Sequence, residues 1–256
     1  MSLRQLLSAD KPLIGHFIFE FATPGIGYLV RNAGADFMVL DLEHSAASFE
    51  TAKLVVLSAR AASIPIVVRV PSRDAKDLAR ACDIGADGVM APLVSSEAEA
   101  RDIVAAVRYF PEGRRGVGQV QMHDRYRIGP FADKAATENA GIALFLQIES
   151  KEGVAASAAI AAVPGVDCLW VGHMDLSCSL GTPAQFDTAE FIEASQAVAA
   201  AAKRSGKRAG RLVRNADEGA ALFADGYSCL ALSADTQIYQ SALATGLSTL
   251  RSRVSA

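Results

Sequence analysis

Apolar residues in this chain come in short, nearly continuous runs at regular intervals. The clearest lie at 37–40, 66–70, 88–91, 142–148 and 168–171, with further runs at 13–19, 208–213 and 228–232. A strand with one wet face alternates apolar and polar positions, whereas a continuous run marks a strand buried on both faces. Eight buried strands are therefore predicted. Four of the runs follow a glycine turn: Gly34-Ala35-Asp36, Gly85-Ala86-Asp87, Gly165-Val166-Asp167 and Asp225-Gly226-Tyr227. Glycine suits the end of a preceding helix because it reaches positive φ without a Cβ penalty.

Amphipathic or alanine-rich segments fill the gaps, at 24–33, 48–61, 74–83, 96–108, 151–162, 189–205, 216–224 and 236–252. Ser48, Ser72 and Ser95 are candidate N-caps. Strand–helix alternation on this scale predicts an α/β fold, a (β/α)8 TIM barrel, as one domain over residues 1–256. An open doubly wound sheet would need a glycine-rich turn after the first strand. That turn reads Glu20-Phe21-Ala22-Thr23-Pro24-Gly25. Residues 114–140 break the rhythm. They form a long polar insert after the fourth βα unit, with His123, Arg125, Tyr126 and Arg127 among its glycines. Loops of such length are usually functional or mobile.

Composition narrows the class. A net charge of −3 lacks the basic face of a non-specific nucleic-acid binder. Cys82, Cys168, Cys178 and Cys229 form no C-x-x-C pair, so a zinc knuckle or redox motif has no support. No apolar stretch reaches the ~18 residues of a membrane span. Residues 1–12 carry Arg4, Asp10 and Lys11 and show no leader-like apolar core. The expectation is a soluble cytoplasmic protein with a small-molecule partner and neither nucleic acid nor membrane.

In a barrel the catalytic rim lies at the C-terminal strand ends. Polar residues gather there: Asp41-Leu42-Glu43-His44, Arg69, Gln147-Ile148-Glu149 and Gly172-His173-Met174-Asp175. Glu149 and Asp175 are hard oxygen donors suited to Mg2+ or Mn2+. The same pair would also serve a glycosidase, or form an acidic rim held by arginines. His44 can accept a proton near neutral pH. Arg69 is a fixed cation for a carboxylate or a developing oxyanion. Lys53, Lys76, Lys134 and Lys151 lie in helices or the insert, so Schiff-base chemistry has no nucleophile at the rim. The loops Arg214-Asn215-Ala216-Asp217 and Ser233-Ala234-Asp235-Thr236 offer no glycine nest for phosphate, which points to an unphosphorylated substrate.

Taken in order, Asp41-Leu42-Glu43-His44-Ser45, Val67-Val68-Arg69-Val70-Pro71, Arg115-Gly116-Val117-Gly118, Gln147-Ile148-Glu149 and Asp175-Leu176-Ser177 resemble the HpcH/HpaI family. These are metal-dependent class II pyruvate aldolases, typified by 4-hydroxy-2-oxoheptanedioate aldolase. The resemblance implies a lyase that reversibly cleaves a 4-hydroxy-2-oxo acid to pyruvate and an aldehyde, with a divalent cation (Mg2+, Mn2+ or Co2+). It makes His44 the base and Glu149 and Asp175 the metal ligands. Gln147 and the backbone around Met174 and Asp175 would bind pyruvate, and Arg69 would stabilise the enolate and the forming alkoxide. It also assigns the Asp83 carboxylate to raising the basicity of His44. The barrel reading puts Asp83 before the fourth strand, at the other end, where it reaches His44 only across a subunit interface. Asp41 is the local alternative.

Two departures from the family pattern, His173 and the stretch from Gln119 to His123, suggest that these positions, with Arg125 and Arg127, select the acceptor aldehyde. The last helix carries Ile238, Leu243, Leu247 and Leu250 at helical spacing. It could close its own barrel; the resemblance implies exchange between paired barrels and a homohexamer, a trimer of dimers. Competing functions are another pyruvate-enolate reaction, decarboxylation or C–C bond formation, and a barrel that binds a metabolite without catalysis.

Overall fold

The structure, a computed structural model, describes residues 2–254. The domain expected over 1–256 also includes residue 1 and residues 255–256, which lie outside the described residues. Eight strands pair in parallel and close on themselves. They are β1 (Leu13–Ile18), β2 (Phe37–Asp41), β3 (Ile66–Arg69), β4 (Gly88–Ala91), β5 (Ala143–Ile148), β6 (Cys168–Val171), β7 (Arg208–Val213) and β8 (Cys229–Ala234). Helices alternate with them: α2 (Ile26–Asn32), α3 (Phe49–Ala61), α4 (Ala75–Asp83), α5 (Glu97–Val107), α7 (Lys151–Ala162), α9 (Ala189–Arg204), α10 (Ala216–Ala224) and α11 (Asp235–Val254). The expected TIM barrel is the fold.

The strand runs are continuous because each strand is buried twice. One face fills the barrel with Phe17, Phe37, Val67, Met90, Phe145 and Trp170. The other meets the helices, where Leu40, Val68, Val89 and Leu146 pack with Val55, Leu78, Ile103 and Ile160. Two glycines make room for the large rings. A Cβ on Gly15 would lie 2.5 Å from the Phe37 ring, and one on Gly210 would lie 2.2 Å from Trp170.

A short helix that the pattern did not predict, α1 (Leu3–Ser8), inserts Leu3 and Leu7 into this inner cluster. It plugs the N-terminal mouth of the barrel. Ser48 caps α3 as expected, accepting the Thr51 N–H at 3.2 Å. The caps of α4 and α5 are Asp74 and Ser96 rather than Ser72 and Ser95.

The insert resolves into a loop and a helix, α6 (Phe131–Gly141). It follows α5 rather than β4, and α5 has already returned the chain to the N-terminal end of the barrel. There the Arg60 guanidinium donates to the Met122 carbonyl at 3.1 Å, and the His123 N–H donates to the Asp83 carbonyl at 3.3 Å. Within the subunit, residues 119–127 therefore lie away from the rim they were expected to serve. The last helix, α11, meets its own barrel through its first turns, where Tyr239 packs edge-on against Phe21 at 5.5 Å. It does not close its own barrel: Ile238, Leu243, Leu247 and Leu250 are 46%, 47%, 42% and 59% exposed. Among the described residues, no helix is long and apolar enough to cross a membrane.

Candidate active site

Strand register builds the centre of the rim. Asp41 and Arg69 end adjacent strands and face each other as Cα partners. Arg69 Nε donates to Asp41 Oδ1 at 2.7 Å. The buried Asp41 carboxylate also accepts the N–H groups of Glu43 and His44, both at 3.0 Å. Aspartate commonly folds the chain after it by accepting such N–H groups, and here the fold presents His44. The guanidinium of Arg69 lies over the Phe17 and Phe19 rings, at 5.3 and 5.7 Å from their centroids. Its Nη1 donates to Gln147 Oε1 at 3.4 Å.

Gln147 donates through Nε2 to Glu149 Oε2. The other oxygen of Glu149 accepts the Leu93 N–H at 2.6 Å. Leu93 holds φ at +54, a left-handed conformation that costs a non-glycine residue energy and recurs at functional sites. Gly172 leaves space for Glu149, since a Cβ there would lie 2.1 Å from Oε2. Asp175 stands in the first turn of a short helix, α8 (His173–Ser179), and is exposed.

The electrostatics favour a cation. Burial pushes Glu149 up to about 7, and the charges of Glu43 and Asp175 add to the rise. Burial also raises Glu43. Arg69 Nη1 lies 3.2 Å from Glu43 Oε2 without hydrogen-bond alignment, so that oxygen is buried with no donor. Arg69 pairs with Asp41 and Glu43 and leaves Glu149 and Asp175 without a cation partner among the described residues, and the donor atoms of these two carboxylates are hard oxygens. Such a set fits Mg2+ or Mn2+. Among the described residues, no cluster of three or more His, Cys, Asp or Glu side chains is placed to enclose an ion. Two carboxylate ligands would leave the remaining positions to water and substrate, as these ions tolerate.

His44, Arg69, Gln147, Glu149, Met174 and Asp175 all lie at the C-terminal strand ends. Asp83 does not. It ends α4 at the opposite end, where Arg115 Nη2 donates to its Oδ1 at 2.6 Å. Asp41 does not touch the imidazole either, because its oxygens are taken by Arg69 and two backbone N–H groups. The carboxylate beside the ring is Glu43, with Oε2 3.7 Å from Nε2. The position of Glu43 was visible in the motif, but its role was not. Nothing in the sequence marked the Leu93 N–H. His173 packs its ring edge-on against Phe186 at 5.1 Å. Burial and the nearby Arg211 push it down to about 4, so it is neutral at physiological pH.

The profile of the HpcH/HpaI aldolase/citrate lyase family matches residues 22–242. The chain belongs to this family. A 5-keto-4-deoxy-D-glucarate aldolase from Klebsiella pneumoniae is 34% identical over 236 residues, 92% of this chain and 91% of its own. A hydroxypyruvate/pyruvate aldolase from Delftia acidovorans is 32% identical over 246 residues, 96% of this chain and 90% of its own. Among solved structures, an HpcH/HpaI aldolase from Desulfitobacterium hafniense superposes with a TM-score of 0.92 at 31% identity, covering 98% of this chain and 97% of that one. A lyase of the HpcH/HpaI family accounts for a barrel with its polar residues gathered on one rim.

Proposed function

We propose that the protein is a divalent-cation-dependent aldolase, reversibly cleaving a 4-hydroxy-2-oxo acid to pyruvate and an aldehyde. The observation that carries this reading is the hydrogen-bonded line from Asp41 through Arg69 and Gln147 to Glu149. It sets a fixed cation beside a carboxylate able to hold a metal. Glu149 and Asp175 would hold that metal, which supplies Lewis acidity toward the 2-oxo acid.

The protein side chains then divide the work. His44, exposed at the rim, removes the proton from the C4 hydroxyl. The C3–C4 bond breaks, its electron pair passes toward the C2 oxygen, and the aldehyde leaves. Arg69 donates to the oxygen where charge develops, already oriented by Asp41, so no reorganisation is needed during the reaction. The proton returns from His44 to C3 and yields pyruvate. Glu43 stands next to the imidazole, with Oε2 3.7 Å from Nε2. Gln147 and the backbone near Met174 and Asp175 position the pyruvate half.

The substrate in this reading is unphosphorylated. The N–H groups of Phe19, Glu20 and Phe21 converge on the protein's own Asp235 carboxylate at 3.1, 2.9 and 2.6 Å. Arg214 is engaged by Glu218 at 3.1 Å. The exposed stripe of α11 supports an oligomer in which this helix crosses to a second copy, extended to a trimer of dimers by the family resemblance.

Exchange of pyruvate methyl protons for deuterium, followed by NMR with Mg2+ or Mn2+, tests the reading. Exchange is expected with the cation and is lost on chelation and in His44→Ala. No exchange in the metal-loaded protein would leave only a metabolite binder. Exchange with no cleavage of any 4-hydroxy-2-oxo acid would favour decarboxylation or C–C bond formation.

A further inference from the structure

A second polar site lies at the N-terminal end of the barrel, remote from the rim. It is a cavity of about 560 Å3 walled by the turns before β3 and β4, the loop at 119–130 and α6. That volume falls within the ~300–1,000 Å3 usual for small-ligand sites. Arg60, Arg125 and Arg127 bring positive charge to it, and Asp87 and Glu138 bring negative charge.

Some of these groups are already engaged. Arg60 donates to the Met122 and Gly85 carbonyls at 3.1 and 3.2 Å, and Asp87 accepts the Ile66 N–H at 3.0 Å. The rest are not. Arg125 and Arg127 are exposed. Arg127 spends only its Nε, on the Asp124 carbonyl at 3.1 Å, and the Arg125 side chain has no partner among the described residues. His123 is 8% exposed. Its Nε2 lies 3.4 Å from the Tyr109 hydroxyl, while its Nδ1 is buried with no hydrogen bond. Glu138 has no side-chain hydrogen bond or ion pair among the described residues, and burial pushes it up to about 7. A buried polar atom without a partner, as His123 Nδ1 is, is rare because it keeps its desolvation cost. The loop carrying them also holds Val120, Arg125 and Tyr126 at φ of 56, 56 and 55.

We propose that this cavity binds a small hydroxylated carboxylate, its carboxylate on Arg125 and Arg127 and a hydroxyl between His123 Nδ1 and Glu138. A guanidinium fork matches a carboxylate bidentately. A hydroxyl both donates and accepts, so it satisfies the imidazole nitrogen and the Glu138 carboxyl together. A plain carboxylate of the same size leaves both unpaired. Within the subunit the cavity lies at the far end of the barrel from His44 and Glu149, so its occupant is not the substrate held at that subunit's rim.

Titration calorimetry on the full chain, with Mg2+ and pyruvate at the rim, tests this with tartrate and with succinate, which lacks only the hydroxyls. Tartrate should bind once per subunit and at least tenfold more tightly than succinate. The double variant Arg125→Ala/Arg127→Ala should lose both ligands more than tenfold. Glu138→Ala should reduce tartrate to the affinity of succinate. Unchanged circular dichroism and unchanged pyruvate proton exchange would show that these variants are folded and intact at the rim. Absence of tartrate binding, equal affinity for the two acids, or tartrate binding untouched by the double variant would each overturn the proposal. The readout is heat of binding, so this result is separable from the fate of the aldolase reading.

Discussion

Asp41 and Arg69 form a buried ion pair at the ends of neighbouring strands, with Nε 2.7 Å from Oδ1. The pair does two things at once. It orients a guanidinium toward the rim, and it folds the turn that carries His44.

Replacing Arg69 with Ala therefore has two expected effects. Loss of one donor to a developing oxyanion lowers kcat by about 10²–10³. The Asp41 carboxylate is also left buried without its cation, a loss of about 3–5 kcal/mol in stability. Steady-state kinetics and urea unfolding read the two separately. Arg69→Lys should restore little of kcat, because an ammonium cannot bond to Asp41 and Gln147 in one plane. A variant with altered KM and unchanged kcat would instead show uniform binding.

Cation affinity should follow the titration of Glu149. Its carboxyl, pushed up to about 7 by burial, must lose its proton before it can ligate, so the proton competes with the metal. The sign is fixed: affinity is full above pH 7 and falls below it, by about tenfold between pH 8 and pH 6 for one competing proton. Mn2+ titration at the two pH values measures this. The same sign makes the thermal stabilisation by metal larger at pH 8 than at pH 6.

Gly172→Ala should weaken the metal site while leaving the barrel intact. The new methyl would meet Glu149 Oε2 at 2.1 Å and its Cβ at 2.9 Å. The Leu93 N–H and Gln147 hold that carboxylate, so it must leave them to yield. Mn2+ affinity is expected to fall at least tenfold, with the circular dichroism spectrum of the parent. Unchanged affinity would show that Glu149 does not ligate.

Light scattering at micromolar concentration should find an oligomer. Leu243 and Leu247 stand 47% and 42% exposed on α11, and Leu243→Asp/Leu247→Asp should release smaller species. A monomeric parent protein would contradict the exchange of this helix.

The barrel was legible in the sequence because burial on both strand faces removes polar residues from every position of a run, as at Phe37–Asp41 up to its last residue. The residue that breaks such a run at its C-terminal end has no packing reason to be polar. Asp41, Arg69, Gln147 and Glu149 could therefore be found from the chain alone. Other features depend on which end of a barrel a segment reaches, or on a backbone angle. The six-residue α1 plug carries only two buried apolar residues, too few to show a period. The Leu93 N–H is aimed at Glu149 by its φ and not by its side chain, so no residue pattern records it.

By itself the sequence determined the strand–helix alternation and the residue types on the rim, since these follow from local burial and residue chemistry. Only the tertiary structure decided which carboxylate stands beside His44 and where the insert lies. Within the subunit Glu43, and not Asp41, is the neighbour of the imidazole, because Asp41 is turned to Arg69 and two backbone N–H groups. The insert follows a helix that runs antiparallel to its strand, so residues that are close in sequence to a rim segment end up at the other mouth of the barrel. Direction reverses with every element, and a linear pattern of apolar positions does not carry it.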